Sequence, residues 1–162
     1  MSTEQRLYEL GIDLPQLLPA AGLYLRCKRH GDLVFVSGHG PVEAGATELG
    51  AGNLVRGKVG ANVTMEEARR AARLTGLQML ASLRGEIGSL DRVRSILKVF
   101  GMVNCAPGFN QTPAVIDGCS ELLIEVFGEE IGAHARSAVG MAELPFDIAV
   151  EIEMVVAIGD GA

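Results

Sequence analysis

The chain has 162 residues, of which 48% are apolar and 4% aromatic, and its formal net charge is −6. That length fits one domain with a full hydrophobic core. The acidic balance argues against sequence-independent nucleic-acid binding, which needs clustered Lys and Arg to neutralise phosphates.

Residues 3–10 read as a short helix with Leu7 and Leu10 on one face and Ser2 or Thr3 as its cap, expected as an appendage joined by a linker to residue 18. A Pro-punctuated loop over 14–22 precedes two strands, 23–28 and 33–37, joined by Arg29-His30-Gly31-Asp32 as a hairpin. Arg26 to His30 is the densest basic cluster, short and interrupted by Cys27, and is expected to decorate one strand face. Turn residues crowd 38–46, and 50–60 reads as irregular with room for one short strand. Thr64-Met65-Glu66-Glu67 matches a capping box and opens a long helix ending between Gly85 and Gly88. A strand follows over 93–103, then a loop over 104–111. Thr112-Pro113 marks the cap and first position of a second helix running to about Phe127. The order closes with two strands around a Leu144-Pro145 turn. Antiparallel strands clustered beside two helices, with no glycine fingerprint opening a helix, predict an α+β fold.

These last two strands each carry a charge in an otherwise small and apolar run, Arg136 in the first and Glu151 in the second. An arginine there is a planar fork of donors for a carboxylate, and a Glu inside a Val/Ile run is a candidate proton handler. Without further context such a pair also reads as a structural ion pair. A tight hairpin at Leu144-Pro145 would set Arg136 opposite a residue near 155 and leave Glu151 about 13 Å away along the strand. A site between subunits, a wider turn or a bulge would resolve that gap.

Ala135-Arg136-Ser137, Leu144-Pro145 and Val150-Glu151-Ile152-Glu153 together resemble, in residues and spacing, the C-terminal signature of the RidA (YjgF) family of imine deaminases. Gly31 to Gly38 resembles the family's second strand ending in Ser-Gly, and Pro19 to Tyr24 the segment before it. The resemblance covers roughly 19–158, so the domain is expected over 19–162. It implies a chorismate-mutase-like mixed sheet covered on one face by two helices, assembled as a homotrimer with sites in the clefts between subunits. It further implies hydrolysis of small 2-enamine or 2-imine acids to 2-keto acids and ammonia, without metal or organic cofactor. On that resemblance Arg136 holds the substrate carboxylate, Glu151 activates the attacking water, and Tyr24, Ser37 and Gly38 line the pocket.

Several positions depart from the family pattern. Ala138 stands where deaminases of the family usually have Cys, Ser120 replaces a helical Asn, and His39 stands where Gln is frequent. All three count as candidate substrate-binding positions, although His39 and His134 also read as ordinary loop residues. The longer loops at 40–59 and 104–111 and the N-terminal helix mark a divergent branch. A non-catalytic binding protein for small keto acids is the alternative. A ribonuclease or translation inhibitor suits the acidic charge and scarce aromatics less well.

Cys27, Cys105 and Cys119 follow no disulfide or zinc spacing, which suits a reducing compartment, and Cys105 and Cys119 read as small buried hydrophobes. No segment has the pattern of a signal peptide or a membrane span, so a cytoplasmic location is expected. A mean hydropathy of +0.27 with so few aromatics predicts that sheet or helix faces are buried between identical subunits.

Overall fold

The computed structural model describes residues 1–159, so the last three positions of the expected domain lie outside the described residues. The elements are α1 (Thr3–Glu9), β1 (Cys27–His30), β2 (Leu33–His39), α2 (Met65–Ile87), β3 (Val93–Asn104), α3 (Thr112–Phe127), α4 (Glu129–Gly132), β4 (Ala135–Met141) and β5 (Val150–Ile158). The five strands form one mixed sheet in the order β1-β2-β5-β3-β4, with β4 parallel to β3 and the other neighbours antiparallel. Helices α2 and α3 pack on one face, which is the expected α+β architecture.

Local chemistry explains the helices. Thr64 Oγ1 accepts from Glu67 N–H at 3.2 Å and Glu67 Oε2 accepts from Thr64 N–H at 2.8 Å, so the capping box forms as read. Gly88, at φ 85°, ends α2 in a conformation that a side chain would resist. In α3, Thr112 is not the cap: Gln111 takes that position, and Thr112 Oγ1 instead donates to the Ala138 carbonyl at 3.0 Å. Glycines let the two helices approach closely. A Cβ on Gly118 would lie 2.1 Å from the Arg69 carbonyl oxygen, and one on Gly76 would lie 2.8 Å from Leu122.

Four expectations need correction. The first strand begins at Cys27, not 23, because Tyr24 N–H donates to Gly22 O and Ala21 N–H reaches Tyr24 Oη, tying 21–24 into a turn that exposes Leu23. The 50–60 region holds a 3₁₀ turn at Ala51–Asn53 and isolated bridges, such as Val42 with Leu54, in place of a strand. Helix α1 is packed and not an appendage: Leu7 is buried in the main core, and Glu4 accepts from Leu90 N–H at 3.0 Å.

The fourth correction is topological. Strands β4 and β5 are not a hairpin, because β3 lies between them and pairs with both. β5 buries Val150, Ile152, Met154, Val156 and Ile158 on one face and therefore belongs at the sheet centre, whereas β4, with Arg136 and Ser137, tolerates an edge. The Leu144-Pro145 segment is a wide crossover around a 3₁₀ turn at Pro145–Asp147 in which Phe146 and Asp147 have φ of 57° and 58°. Such left-handed residues cost on the order of 1 kcal/mol each. Asn104 Nδ2 donating to Asp147 Oδ1 at 3.1 Å and Gly57 N–H donating to Asp147 O at 2.7 Å hold the turn in place.

Gly118→Ala tests the helix crossing. Because the obstructing atom is backbone, the variant is expected to lose about 3 kcal/mol, read as a lower urea midpoint at unchanged slope.

Candidate functional site

The pairing of β2 with β5 sets Val36 opposite Met154 and His39 opposite Ile152, which leaves one extra residue in β2. This bulge turns His39 toward the helices and leaves Ser37 and Gly38 against Glu151. A Cβ on Gly38 would lie 2.1 Å from Glu151 Oε1, so only glycine lets that carboxylate lie on the strand backbone. Glu151 is half-buried, and burial first and the Glu153 carboxylate second push its pKa up. Ser37 Oγ donates to the Leu25 carbonyl at 2.6 Å, anchoring the segment that carries Tyr24.

Tyr24, Ser37, Gly38, His39 and Glu151 thus border one cavity of ≈ 1180 Å³, which reaches from the sheet bulge to the Pro145–Asp147 turn. His39, expected as a loop residue, is the buried last residue of β2. Its Nδ1 lies 2.6 Å from the Ser37 carbonyl, which can only accept, so Nδ1 carries the proton. Burial, the largest cause, pushes the ring down to a pKa of about 4, so Nε2 is a bare acceptor at neutral pH. The Ser82 hydroxyl donates to it at 2.8 Å, and Ser82 Oγ in turn accepts from Arg26 Nη1 at 3.3 Å.

Arg136 stands elsewhere. Its partner across β3 is Val99, which faces Met154, and both are buried toward the helices. Glu151 lies two strands away and, alternating with Val150 and Ile152, on the opposite face. The backbone separation is about 14 Å from strand spacing and rise. Arg136 Nη1 donates to Asp117 Oδ1 at 2.8 Å and to Ser120 Oγ at 2.9 Å, while Nη2 reaches the Pro113 carbonyl at 3.4 Å. Ser120 Oγ lies 2.9 Å from His134 Nε2, whose Nδ1 lies 2.6 Å from the Gly132 carbonyl. Burial, the largest cause, lowers the His134 pKa too.

The expected site residues therefore fall into two groups. Tyr24, Ser37, Gly38, His39 and Glu151 share the cavity, whereas Arg136, Ala138 and Ser120 cluster between β4 and α3 and do not border it. The sequence reading missed Arg26, Gln78 and Ser82 on the first side and Asp117 on the second. Arg26 does not decorate a strand with Lys28 and Arg29: it lines the cavity, while they are exposed. It lies just before the strand, where no local pattern marks it, whereas Asp117 precedes Ser120 by one helical turn. Among the described residues no cluster of ligand side chains could hold a metal ion, and the cysteines are free. Cys27 and Cys119 are buried, with thiols pushed up to about 12 mainly by that burial, whereas Cys105, expected to be buried, is only partly so.

His39 gives a pH test. Between its usual value of 6.5 and about 4 the unfolded chain binds a proton that the folded chain refuses, so stability falls as pH drops through that window and levels off below it. The full contribution is about 3 kcal/mol. His39→Gln is expected to flatten this part of a urea-unfolding series across the window; parallel curves for the two proteins would show that the ring is not buried neutral.

A family model described as "YjgF/chorismate_mutase-like, putative endoribonuclease" matches residues 4–155. Protein TCP17 of Trypanosoma cruzi is 39% identical over 150 residues, covering 93% of this chain and 90% of that protein. The crystal structure of Atu1372 from Agrobacterium tumefaciens, a protein with unknown function, matches with a TM-score of 0.83 at 39% identity, over 97% of this chain and 92% of that one. A protein from Shewanella oneidensis described as a "putative endoribonuclease" matches with a TM-score of 0.88 at 29% identity, over 98% and 100% of the respective chains. On a match that spans nearly its whole length and a sheet of the same architecture, this chain belongs to the YjgF/chorismate mutase-like family.

Proposed function

We propose that this protein hydrolyses small 2-enamine and 2-imino acids to 2-keto acids and ammonia, at clefts between the subunits of a cytoplasmic homotrimer. The observation that carries the reading is the separation of Glu151 from Arg136 onto opposite faces of one sheet. An acid base in a preformed cavity and a carboxylate fork on the far edge strand complete each other only if a second copy brings its β4 edge to the cavity. The open sheet face supports such packing, since it leaves exposed Phe35, opposite Val155, and Val139, which lies across β3 from Glu151. Among the described residues no helix is long and apolar enough to cross a membrane.

In this reading the substrate carboxylate takes two donors from Arg136, drawn by a charge-assisted pairing that strengthens as water leaves. Water attacks C2 of the iminium while Glu151 accepts its proton. The carbinolamine nitrogen then receives that proton, the C2–N bond breaks as the C2–O bond becomes a carbonyl, and the hydroxyl proton passes through the Glu151 carboxylate to the departing ammonia, which leaves as ammonium. The raised pKa of Glu151 suits a group that must take a proton and return it in one cycle. The cavity's three carboxylates, Glu48, Glu151 and Glu153, outnumber its two arginines, Arg26 and Arg56, and so disfavour a nuclease reading. A binding protein without turnover is favoured by one contact, the Asp117 carboxylate already paired with Arg136, and by Ala138 and Ser120.

The test is keto-acid release from imines generated in situ by an amino-acid oxidase. Arg136→Ala and Glu151→Gln are each expected to lower the accelerated rate by about 100-fold or more, and the two variants refolded together are expected to recover activity at clefts with both residues intact. No recovery in a mixed oligomer would defeat the inter-subunit site. Saturable keto-acid binding with no acceleration of any imine would establish the binding protein instead.

A further inference from the structure

The cavity holds an arginine that no carboxylate among the described residues pairs with. Arg26 is half-buried, its Nε is fully withdrawn from solvent with no hydrogen-bond partner, and Nη1 to Ser82 is the guanidinium's one hydrogen bond among the described residues. No carboxylate pairs with it among those residues, and burial leads the influences on it, followed by Tyr24 and Cys27, not by Glu151 or Glu153. A guanidinium stays charged at any physiological pH, so this is a desolvated cation without its counter-charge, an arrangement that destabilises the empty protein.

A second, independent feature lies beside it. Gln78, one turn of α2 before Ser82, is only 4% exposed, borders the same cavity, and its amide makes no hydrogen bond among the described residues. Among the described residues only Arg26 Nε is a fully buried side-chain polar atom without a partner, so the Gln78 amide keeps its access through the cavity that both residues border. The support under Arg26 also repeats the one under Arg136. In each case an arginine Nη1 donates to a serine, the serine donates to a neutral histidine, and that histidine donates to the carbonyl two residues before it. The two differ in one respect: Arg136 also has Asp117, and Arg26 has no such carboxylate among the described residues.

We infer that Arg26 and Gln78 form a second anion-binding point in the cavity and select 2-imino acids whose side chain ends in a carboxylate. The inference rests on the deaminase reading for the reacting end of the substrate and adds the recognition of its far end. A cavity of ≈ 1180 Å³ has room for a five-carbon diacid, far more than a three-carbon imino acid fills. The distal carboxylate accepts from the guanidinium and from the Gln78 amide, supplying the acceptors that the folded chain leaves out.

The test compares 2-oxoglutarate with 2-oxopentanoate, which differ by a carboxylate in place of a terminal methyl. Calorimetric titration of the intact assembly is expected to give at least about tenfold tighter binding of the diacid. Arg26→Gln is expected to abolish that ratio while leaving 2-oxopentanoate affinity unchanged, and Gln78→Leu to reduce it. Equal affinities for the wild-type protein overturn the inference, even where a variant fails to fold. A variant that weakens both ligands alike overturns it too. Hydrolysis of 2-iminopentanoate, made in situ from norvaline, reads the deaminase assignment separately, because that substrate has no distal carboxylate: acceleration without a diacid preference sinks the Arg26 subsite alone.

Discussion

The candidate site depends on β5 holding the centre of the sheet. A strand paired on both sides must bury one face completely, and β5 does so with five aliphatic residues, of which Met154 is the longest. Its intervening positions are then fixed on the uncovered face, where burial and the Glu153 carboxylate two residues on raise the cost of charging Glu151. The bulge in β2 follows from the same pairing. One extra residue there keeps Val34 and Val36 in register with the core while bringing Gly38 under the Glu151 carboxylate and turning His39 inward. Moving β5 by one residue would exchange its faces and leave two carboxylates among the helices.

Neutral histidines are the second element of this design. A buried imidazole that has given its proton to a backbone carbonyl offers a bare nitrogen, and a serine must then turn its hydroxyl hydrogen toward that nitrogen. The serine's lone pairs are thereby left facing the arginine. Orientation passes from backbone to histidine to serine to guanidinium without any titrating group carrying charge at neutral pH, so the arginine's position is insensitive to pH above the histidine's range. The same logic operates at His134 and Ser120, where a serine is enough to hold the arginine. It needs only one acceptor and one donor, and the histidine supplies the rest.

Much of this was legible in the sequence, and the rest was hidden for physical reasons. The capping box at Thr64 and the aliphatic alternation of β3 and β5 are local signals, and local signals survive into the fold. The resemblance around Arg136 and Glu151 identified two residues whose positions the chain alone does not bring together. What sequence could not give was strand order. A Leu-Pro turn between two strand-like runs reads as a hairpin until β3, more than thirty residues upstream of β4 at its start, is known to lie between them. Arg26 was obscured by its neighbours: beside Lys28 and Arg29 it resembled one more solvated charge, and only the turn at 21–24 and the Ser37 N–H bond to its carbonyl show that its side chain enters the cavity.

The contrast between the two arginines bears on how binding energy would be used on the proposed reading. An anion arriving at Arg136 meets a guanidinium already paired with Asp117, so it exchanges one carboxylate for another or shares it, and the net gain is small. An anion arriving at Arg26 displaces no carboxylate and satisfies a group that was costly to leave bare. Affinity would come mainly from the far end of the ligand, and orientation of the reacting carbon from the near end. That division matches what catalysis requires, because tight binding at the reacting end would stabilise the ground state as much as the transition state, whereas remote binding can hold C2 beside Glu151 while the charge there changes.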